Sequence, residues 1–355
     1  MANPDLKGHK LLITQPRPFP TKFIKHIQEK YPGLEVQYHQ LKDWNDTDFP
    51  TSYYDNVTAL CTSVVFPTRE QAPKLQLVQL SSAGANHLHD NALYEKTDIS
   101  FCTANGVHPP QIAEWVISTW LAFQHHIPRY LDFMKVGEWE ATPYEEDVED
   151  SVGLRMGILG YGAIGRQCAR LAKAMAMDVV AYTHRERSTP ESRRDDSYCV
   201  PGTGDPEGLL PSQWFHGASK EAVNDFISQD LDILVICLPL TQITRGIIAA
   251  EQFEIMSKKK TFLSNIGRGP HVNTADLIKA LESGQIRGAA LDVTDPEPLP
   301  QDHPLWKAPN LIITPHSSGN STHYTERVLA ILEHNLTCIA EGKPHINKVD
   351  RKLAY

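Results

Sequence analysis

The sequence predicts an α/β fold of two parallel-sheet modules, and three observations carry the prediction. Short apolar runs alternate with amphipathic stretches over most of the 355 residues, the pattern of a parallel sheet with helices on both faces. That length suggests two domains at the usual ~100–200 residues each. Pro109-Pro110 and the acidic stretch Gly137 to Asp150 fall between two such alternating series.

In chain order, Lys10 to Thr14 reads as the first strand, Thr21 to Tyr31 as a helix, and Ala59 to Thr62 and Leu77 to Leu80 as further strands of the first module. A helix follows from Pro109-Pro110 through Gln111 to Leu121, its prolines in the first turn, where a missing N–H costs nothing. Gly137 to Asp150 lacks apolar periodicity and reads as an exposed arm or connection. The second module opens with the strand Met156 to Leu159, a glycine turn, a helix over Arg166 to Met175 and the strand Val179 to Tyr182. The polar stretch from Thr183 to Asp230 exceeds a usual βα connection and reads as a surface insertion. Leu231 to Leu238, Thr261 to Ser264, Gly288 to Leu291 and Leu311 to Thr314 are four more strands, which makes this module a doubly wound sheet.

Composition narrows the function classes. The net charge of −9 is spread along the chain, and no run of lysines and arginines offers a counter-surface for phosphate backbones, which argues against nucleic acid and anionic membranes as partners. The six cysteines (Cys61, Cys102, Cys168, Cys199, Cys237, Cys338) lie far apart without CxxC spacing, so they read as small buried apolar residues of a reduced compartment. The first residues lack the apolar core of a signal peptide, and no stretch of about 18 apolar residues exists. A cytoplasmic protein is the expectation.

The strongest motif is Gly160-Tyr161-Gly162-Ala163-Ile164-Gly165. GxGxxG alone is weak, but here it follows an apolar strand and opens a helix, as a dinucleotide site requires. Gly160 permits the tight turn, Gly162 lets backbone approach a pyrophosphate, and Gly165 lets helix and strand pack closely while the helix N-terminus, with Ala163 and Ile164, faces the anion. The second module is therefore expected to be a Rossmann domain. Cofactor choice falls to the end of the next strand, Thr183-His184-Arg185-Glu186-Arg187. A neutral Thr183 with His184 and Arg185 suits a 2′-phosphate, because guanidinium matches phosphate bidentately. NADP(H) is favoured and NAD(H) remains possible, with Glu186 then serving the ribose.

Arg268 in SNIGRG, Glu297 in LDVTDPEP and His316 in TPHSSG each follow a strand of the second module. Ligands of open α/β sheets bind at the carboxyl ends of strands, so these three can converge although distant in sequence. The segments GILGYGAIGR, LPLTQITRGII, SNIGRG, ADLIKALESGQIRGAALDVTDPEPLP and PLWKAPNLIITPHSSG together resemble the D-isomer-specific 2-hydroxyacid dehydrogenase family, particularly its glyoxylate/hydroxypyruvate reductases. The resemblance is close from about Val152 to Gly319 and looser in SSAGANHL and TANGVHPPQIAEWV.

The resemblance implies hydride transfer between a nicotinamide cofactor and C2 of a 2-oxo acid or D-2-hydroxy acid. Arg268 would bind the carboxylate and carbonyl, His316 would donate and accept the proton, and Glu297 would pair with the histidine. Imidazole suits a proton moved in both directions near neutral pH, a carboxylate beside an imidazole favours its protonated form, and a permanent guanidinium orients a carboxylate and favours a developing oxyanion. The chemistry calls for no metal. Asp292 would hold the nicotinamide carboxamide. Leu238, Pro239, Ile266 and Ser318 would complete the cofactor groove, and Ala83 and Gly84 would offer backbone N–H groups to the substrate carboxylate.

The implied organisation is a discontinuous, flavodoxin-like substrate-binding domain (1–110 and 319–355) around a dinucleotide-binding domain (111–318), with a homodimer paired through the helix and arm near the domain junction. Three features depart from the family pattern: Asn273 replaces the usual acid after RG, Thr294 stands where an aromatic is common, and the 183–230 connection is long. Adjacent helical residues do not share a face, so His125-His126 reads as an exposed pair, not metal ligands. His108 reads as structural, and Trp115 and Trp120 as core or dimer contacts. Two rivals share the scaffold. A formate dehydrogenase carries an amide where this chain has Glu297, and a cofactor-sensing corepressor-like protein would bind nucleotide without turnover.

Overall fold

The computed structural model describes residues 5–351 apart from 19, 44, 45, 47, 89 and 140–147. The chain divides into two compact units, one of Met1–Val107 with Ser321–Tyr355 and one of His108–Asn320.

The first unit runs β1 (Lys10–Gln15), α1 (Thr21–Lys30), β2 (Glu35–Gln40), β3 (Ala59–Thr62), β4 (Leu77–Leu80), α2 (Ala92–Glu95) and β5 (Ser100–Cys102). Its five strands are parallel in the order β2-β1-β3-β4-β5, the flavodoxin-like arrangement. The strands legible in the sequence, β1, β3 and β4, are buried throughout, as strands covered on both faces should be. The sequence reading missed β2 and β5. Edge strand β2, EVQYHQ, is mostly half-exposed and carries no continuous apolar run, and β5 has only three residues.

The second unit runs α3 (Pro109–Gln124), α4 (Ile127–Val136), β6 (Arg155–Leu159), α5 (Ala163–Ala174), β7 (Asp178–Thr183), α6 (Pro190–Arg193), β8 (Gln213–His216), α7 (Lys220–Ile227), β9 (Ile233–Ile236), α8 (Ala250–Ser257), β10 (Phe262–Asn265), α9 (Thr274–Glu282), β11 (Gly288–Leu291) and β12 (Leu311–Ile313). The long α10 (Tyr324–Glu341) then belongs to the first unit. The seven strands are parallel in the order β12-β11-β10-β9-β6-β7-β8. The order reverses between β6 and β9, which creates the crevice where nucleotides bind in such sheets. Successive residues of β9 enter opposite cores: Leu234 and Ile236 pack with Phe226 and Phe253, Ile233 and Val235 with Trp120 and Phe262. Trp120 is fully buried, 5.5 Å from the Phe262 ring in an edge-on contact, and donates from Nε1 to Ser151 Oγ at 3.0 Å.

The 183–230 stretch corrects the expectation of a plain surface insertion. It carries α6, the edge strand β8 paired with β7, and α7, which is N-capped by Ser219 accepting from Ala222 N–H. A half-exposed QWFH strand has too little apolar periodicity to be read from sequence. The helix from Pro109 runs on to Gln124, where His125 and left-handed His126 (φ 52°) turn the chain into α4. His125 is exposed and His126 half-buried. Residues 140–147 of the expected arm lie outside the described residues.

Candidate active site

The glycine turn joins β6 to α5 at the reversal point of the sheet. Gly160 adopts φ 106°, and a side chain there would meet the Cys237 carbonyl carbon and oxygen at 2.9 Å, so glycine is what lets this turn lie against the chain leaving β9. Leu238 and Pro239 follow on that segment. Gly162 precedes α5, and nothing lies within 4 Å of where its side chain would project. The next three N–H groups, of Ala163, Ile164 and Gly165, open a twelve-residue helix and have no partner inside it. An open cradle at a helix N-terminus fits a pyrophosphate.

At the end of β7, Thr183 Oγ1 donates to the Arg185 carbonyl at 2.7 Å. His184, Arg185 and Glu186 are exposed. Arg187 instead donates to the Ser192 carbonyl and serves the local fold.

Arg268, Glu297 and His316 follow β10, β11 and β12, three consecutive neighbours in the sheet. His316 Nδ1 and Glu297 Oε1 lie 2.7 Å apart, with the two side chains 51% and 40% exposed. His316 has φ 52°, a left-handed conformation uncommon for a non-glycine residue. Its turn is held by its N–H donating to the Asp292 carbonyl at 2.8 Å and by the Asp292 carboxylate. That carboxylate accepts from Thr314 Oγ1 at 2.5 Å, from the Ser317 N–H at 2.8 Å and from both the N–H and the hydroxyl of Ser318. Asp292, 2% exposed, thus braces the histidine turn, a duty the sequence did not indicate. Glu297 Oε2 accepts from the Thr294 N–H at 3.4 Å, and Thr294 Oγ1 donates to the Pro296 carbonyl at 2.8 Å, closing the loop that presents the carboxylate.

The Arg268 loop is equally built. Asn265 accepts from the Gly267 N–H and donates to the Arg268 carbonyl at 3.0 Å. Arg268 Nη1 donates to the Gly267 carbonyl at 2.7 Å. Gly269 passes so close to the next loop that a methyl group there would sit 1.9 Å from the Thr294 carbonyl oxygen. Ile266 is 7% exposed behind the loop, and Asn273 caps α9 by accepting from the Asp276 N–H.

The sequence reading missed His271. It is fully buried, its Nδ1 accepts from the Arg268 N–H at 3.0 Å, and its Nε2 lies 3.3 Å from the Pro239 carbonyl. An Nδ1 that accepts must be unprotonated, so the Nε2–H donates to Pro239 and the ring ties the arginine loop to the segment after β9. Burial pushes its pKa down to about 4. Only the histidine in RGPH, three residues from the arginine, could have flagged it.

Ala83 and Gly84 belong to the first unit, in the loop after β4. The loop is shaped by Ser82, whose Oγ donates to the Gly84 carbonyl at 2.8 Å and whose carbonyl accepts from the Ala104 N–H. Among the described residues neither the Ala83 nor the Gly84 N–H is hydrogen-bonded within the chain.

Residues 117–201 and 211–318 match the family model described as D-isomer specific 2-hydroxyacid dehydrogenase, NAD binding domain. The chain belongs to this family. A glyoxylate/hydroxypyruvate reductase B of Citrobacter koseri is 31% identical over 80% of this chain and 81% of its own length. A glyoxylate reductase of Thermofilum pendens is 27% identical over 93% of both. Among solved structures, a D-isomer specific 2-hydroxyacid dehydrogenase family protein from Aeromonas salmonicida superposes with a TM-score of 0.73 at 26% identity, covering 97% of this chain and 99% of the other. The family's dehydrogenase from Xanthobacter autotrophicus, in complex with NADPH and MES, gives a TM-score of 0.73 at 25% identity, covering 98% and 99%. The chain is thus a nicotinamide-dependent 2-hydroxyacid dehydrogenase with two parallel α/β sheets, one of them a Rossmann domain.

Proposed function

We propose that this dehydrogenase reduces a small 2-oxo acid such as glyoxylate or hydroxypyruvate to the D-2-hydroxy acid, with NADP(H) preferred over NAD(H). The observation that carries the reading is the 2.7 Å pairing of His316 with Glu297 on the strand ends next to Arg268. In this reading residues 111–318 bind the dinucleotide, and 1–110 with 319–355 bind the substrate. Gly160, Gly162, Ala163, Ile164 and Gly165 hold the pyrophosphate, and Thr183, His184 and Arg185 face the adenosine end. Leu238, Pro239, Ile266, Asp292 and Ser318 line the groove toward the nicotinamide.

When bound, the nicotinamide supplies or takes the hydride at C2. Arg268 orients the 2-oxo acid by its carboxylate and favours negative charge growing on the carbonyl oxygen, with the Ala83 and Gly84 N–H groups as further donors to the carboxylate. His316 gives its Nε2 proton to that oxygen during reduction and recovers it during oxidation. Glu297 accepts from Nδ1–H, so it fixes the ring's orientation and leaves Nε2 to exchange the proton. The exposed Arg185 supports NADP(H), as do the relatives solved with that cofactor.

The homodimer is proposed on the apolar stripe of α4, where Ile127, Leu131 and Met134 are 44%, 46% and 69% exposed at helical spacing. The cytoplasmic location is proposed on cysteine usage; all six thiols are free. Among the described residues no helix is long and apolar enough to cross a membrane. The deciding assay follows NADPH and NADH oxidation with glyoxylate, hydroxypyruvate and a bulky aromatic 2-oxo acid. Turnover with the small acids is expected, and tight cofactor binding without turnover of any of them would refute the reading.

A further inference from the structure

Residues 202–210 fall in the gap between the two segments that match the family model, yet they are bound into the fold. Asp205 is 6% exposed, and its carboxylate accepts from Tyr161 Oη at 2.8 Å and from the N–H groups of Leu209 and Leu210 at 3.0 and 3.2 Å. The Gly204 N–H donates to Gln167 Oε1 at 2.7 Å, and the Gly204 carbonyl accepts from Arg170 Nε at 2.9 Å. Arg166, 5% exposed, donates to the carbonyls of Asp205 and Arg193 and pairs with Asp195 at 3.2 Å. Tyr161 lies inside the glycine turn, Arg166 and Gln167 lie in the first half of α5, and Arg170 lies just past its middle.

A segment outside the family match therefore holds Tyr161 of the glycine turn, and Arg166, Gln167 and Arg170 of the helix that the turn opens, where a dinucleotide must find a rigid frame. We propose that residues 202–210 act as a clasp on the glycine turn and the start of α5, with Asp205 and Tyr161 as positioning residues that set the affinity for the nicotinamide dinucleotide. The proposal rests on the reading that this turn holds the pyrophosphate. The N–H groups of Ala163, Ile164 and Gly165 meet an anion together only if the turn is already ordered, and ordering it during binding weakens affinity. Tyr161 anchors the turn from within, and Arg166 anchors the helix one residue beyond the last glycine. Removing the tyrosine hydroxyl leaves the buried carboxylate one donor short and frees the turn at its centre.

The test titrates NADPH and NADH into the full-length protein and its Tyr161→Phe, Asp205→Ala and doubly substituted variants, alongside steady-state kinetics. Each single change should raise the cofactor Kd about tenfold or more, the factor set by one hydrogen bond to a charged group. The double variant should match Asp205→Ala, because the tyrosine hydroxyl has lost its acceptor once that carboxylate is gone. For Asp205→Ala, kcat at saturating cofactor and the KM for the 2-oxo acid should stay within roughly twofold of wild type, a split that general loosening of the fold would not produce. If Asp205→Ala does not fold, Tyr161→Phe, which removes a single oxygen, decides alone. An unchanged cofactor Kd in folded variants, or parallel losses in Kd, kcat and substrate KM, overturns the clasp while leaving the cofactor reading intact. A wild-type protein that binds neither dinucleotide overturns both.

Discussion

Gly269→Ala is a sharp test of how the active-site loops are held. The added carbon would sit 1.9 Å from the Thr294 carbonyl oxygen and 2.1 Å from its carbon. Both are backbone atoms, so no rotamer change relieves the clash. Real contacts of this kind are not shorter than 3.0 Å, so the Arg268 loop and the 294–297 loop must separate by about 1.1 Å. These loops carry Arg268, proposed to orient the substrate, and Glu297, the partner of His316. A 1 Å displacement of catalytic groups costs about 100-fold in rate, or about 2.7 kcal/mol of transition-state stabilisation, and overpacking costs about 1–3 kcal/mol of stability. Steady-state reduction of hydroxypyruvate at saturating cofactor gives kcat/KM, and a denaturant melt confirms folding. A folded Gly269→Ala protein with wild-type kcat/KM would show that the two loops do not position the chemistry.

Further outcomes follow from the same geometry. His316→Ala should lose about 10²–10⁴-fold in kcat with cofactor affinity intact, and Glu297→Gln should lose less, because the ring keeps a neutral acceptor; retained turnover in His316→Ala removes the assigned proton role. Arg185→Ala should weaken NADPH about tenfold or more while sparing NADH, as loss of a charge-assisted contact requires; equal effects on both cofactors would refute a 2′-phosphate contact. His271 has a folded pKa of about 4 against an ordinary 6.5, so the unfolded chain takes up its proton first as pH falls. The stability contributed by the neutral ring is complete above about pH 6.5 and declines toward pH 4, by up to about 3 kcal/mol. A His271→Asn protein, whose melting should lack that share of the acid dependence, provides the comparison. Leu131→Glu with Met134→Glu should convert the proposed dimer to monomer by size-exclusion chromatography with light scattering, and an unchanged mass would exclude α4 as the interface.

Features whose meaning is local were legible in the sequence. The glycine turn announces itself because Gly160 and Gly162 sit between an apolar strand and a helix, and Arg268 and Glu297 follow buried strands while His316 follows a half-buried one whose run Leu311-Ile312-Ile313 is wholly apolar. What escaped depends on distant partners. His271 acquires its role from burial and from Pro239, 32 positions earlier. Asp205 acquires its own from Tyr161, 44 positions away. Strands β2 and β8 were missed because an edge strand buries little, so its composition stays close to that of a loop. Asp292 was expected, through the resemblance, as a nicotinamide contact, but no pattern of residue types shows that its carboxylate accepts from the turn carrying His316.

The half-exposed His316–Glu297 pair bears on how the enzyme resets. In the proposed cycle each reduction draws one proton from the His316 imidazole, and a half-exposed ring needs no buried relay to replace it. Water or a buffer acid can reload the histidine directly between turnovers. Proton supply then becomes a matter of solvent composition, so small buffer acids should exchange with the free enzyme readily, and any slow step in the cycle is to be sought in events that cover this pair.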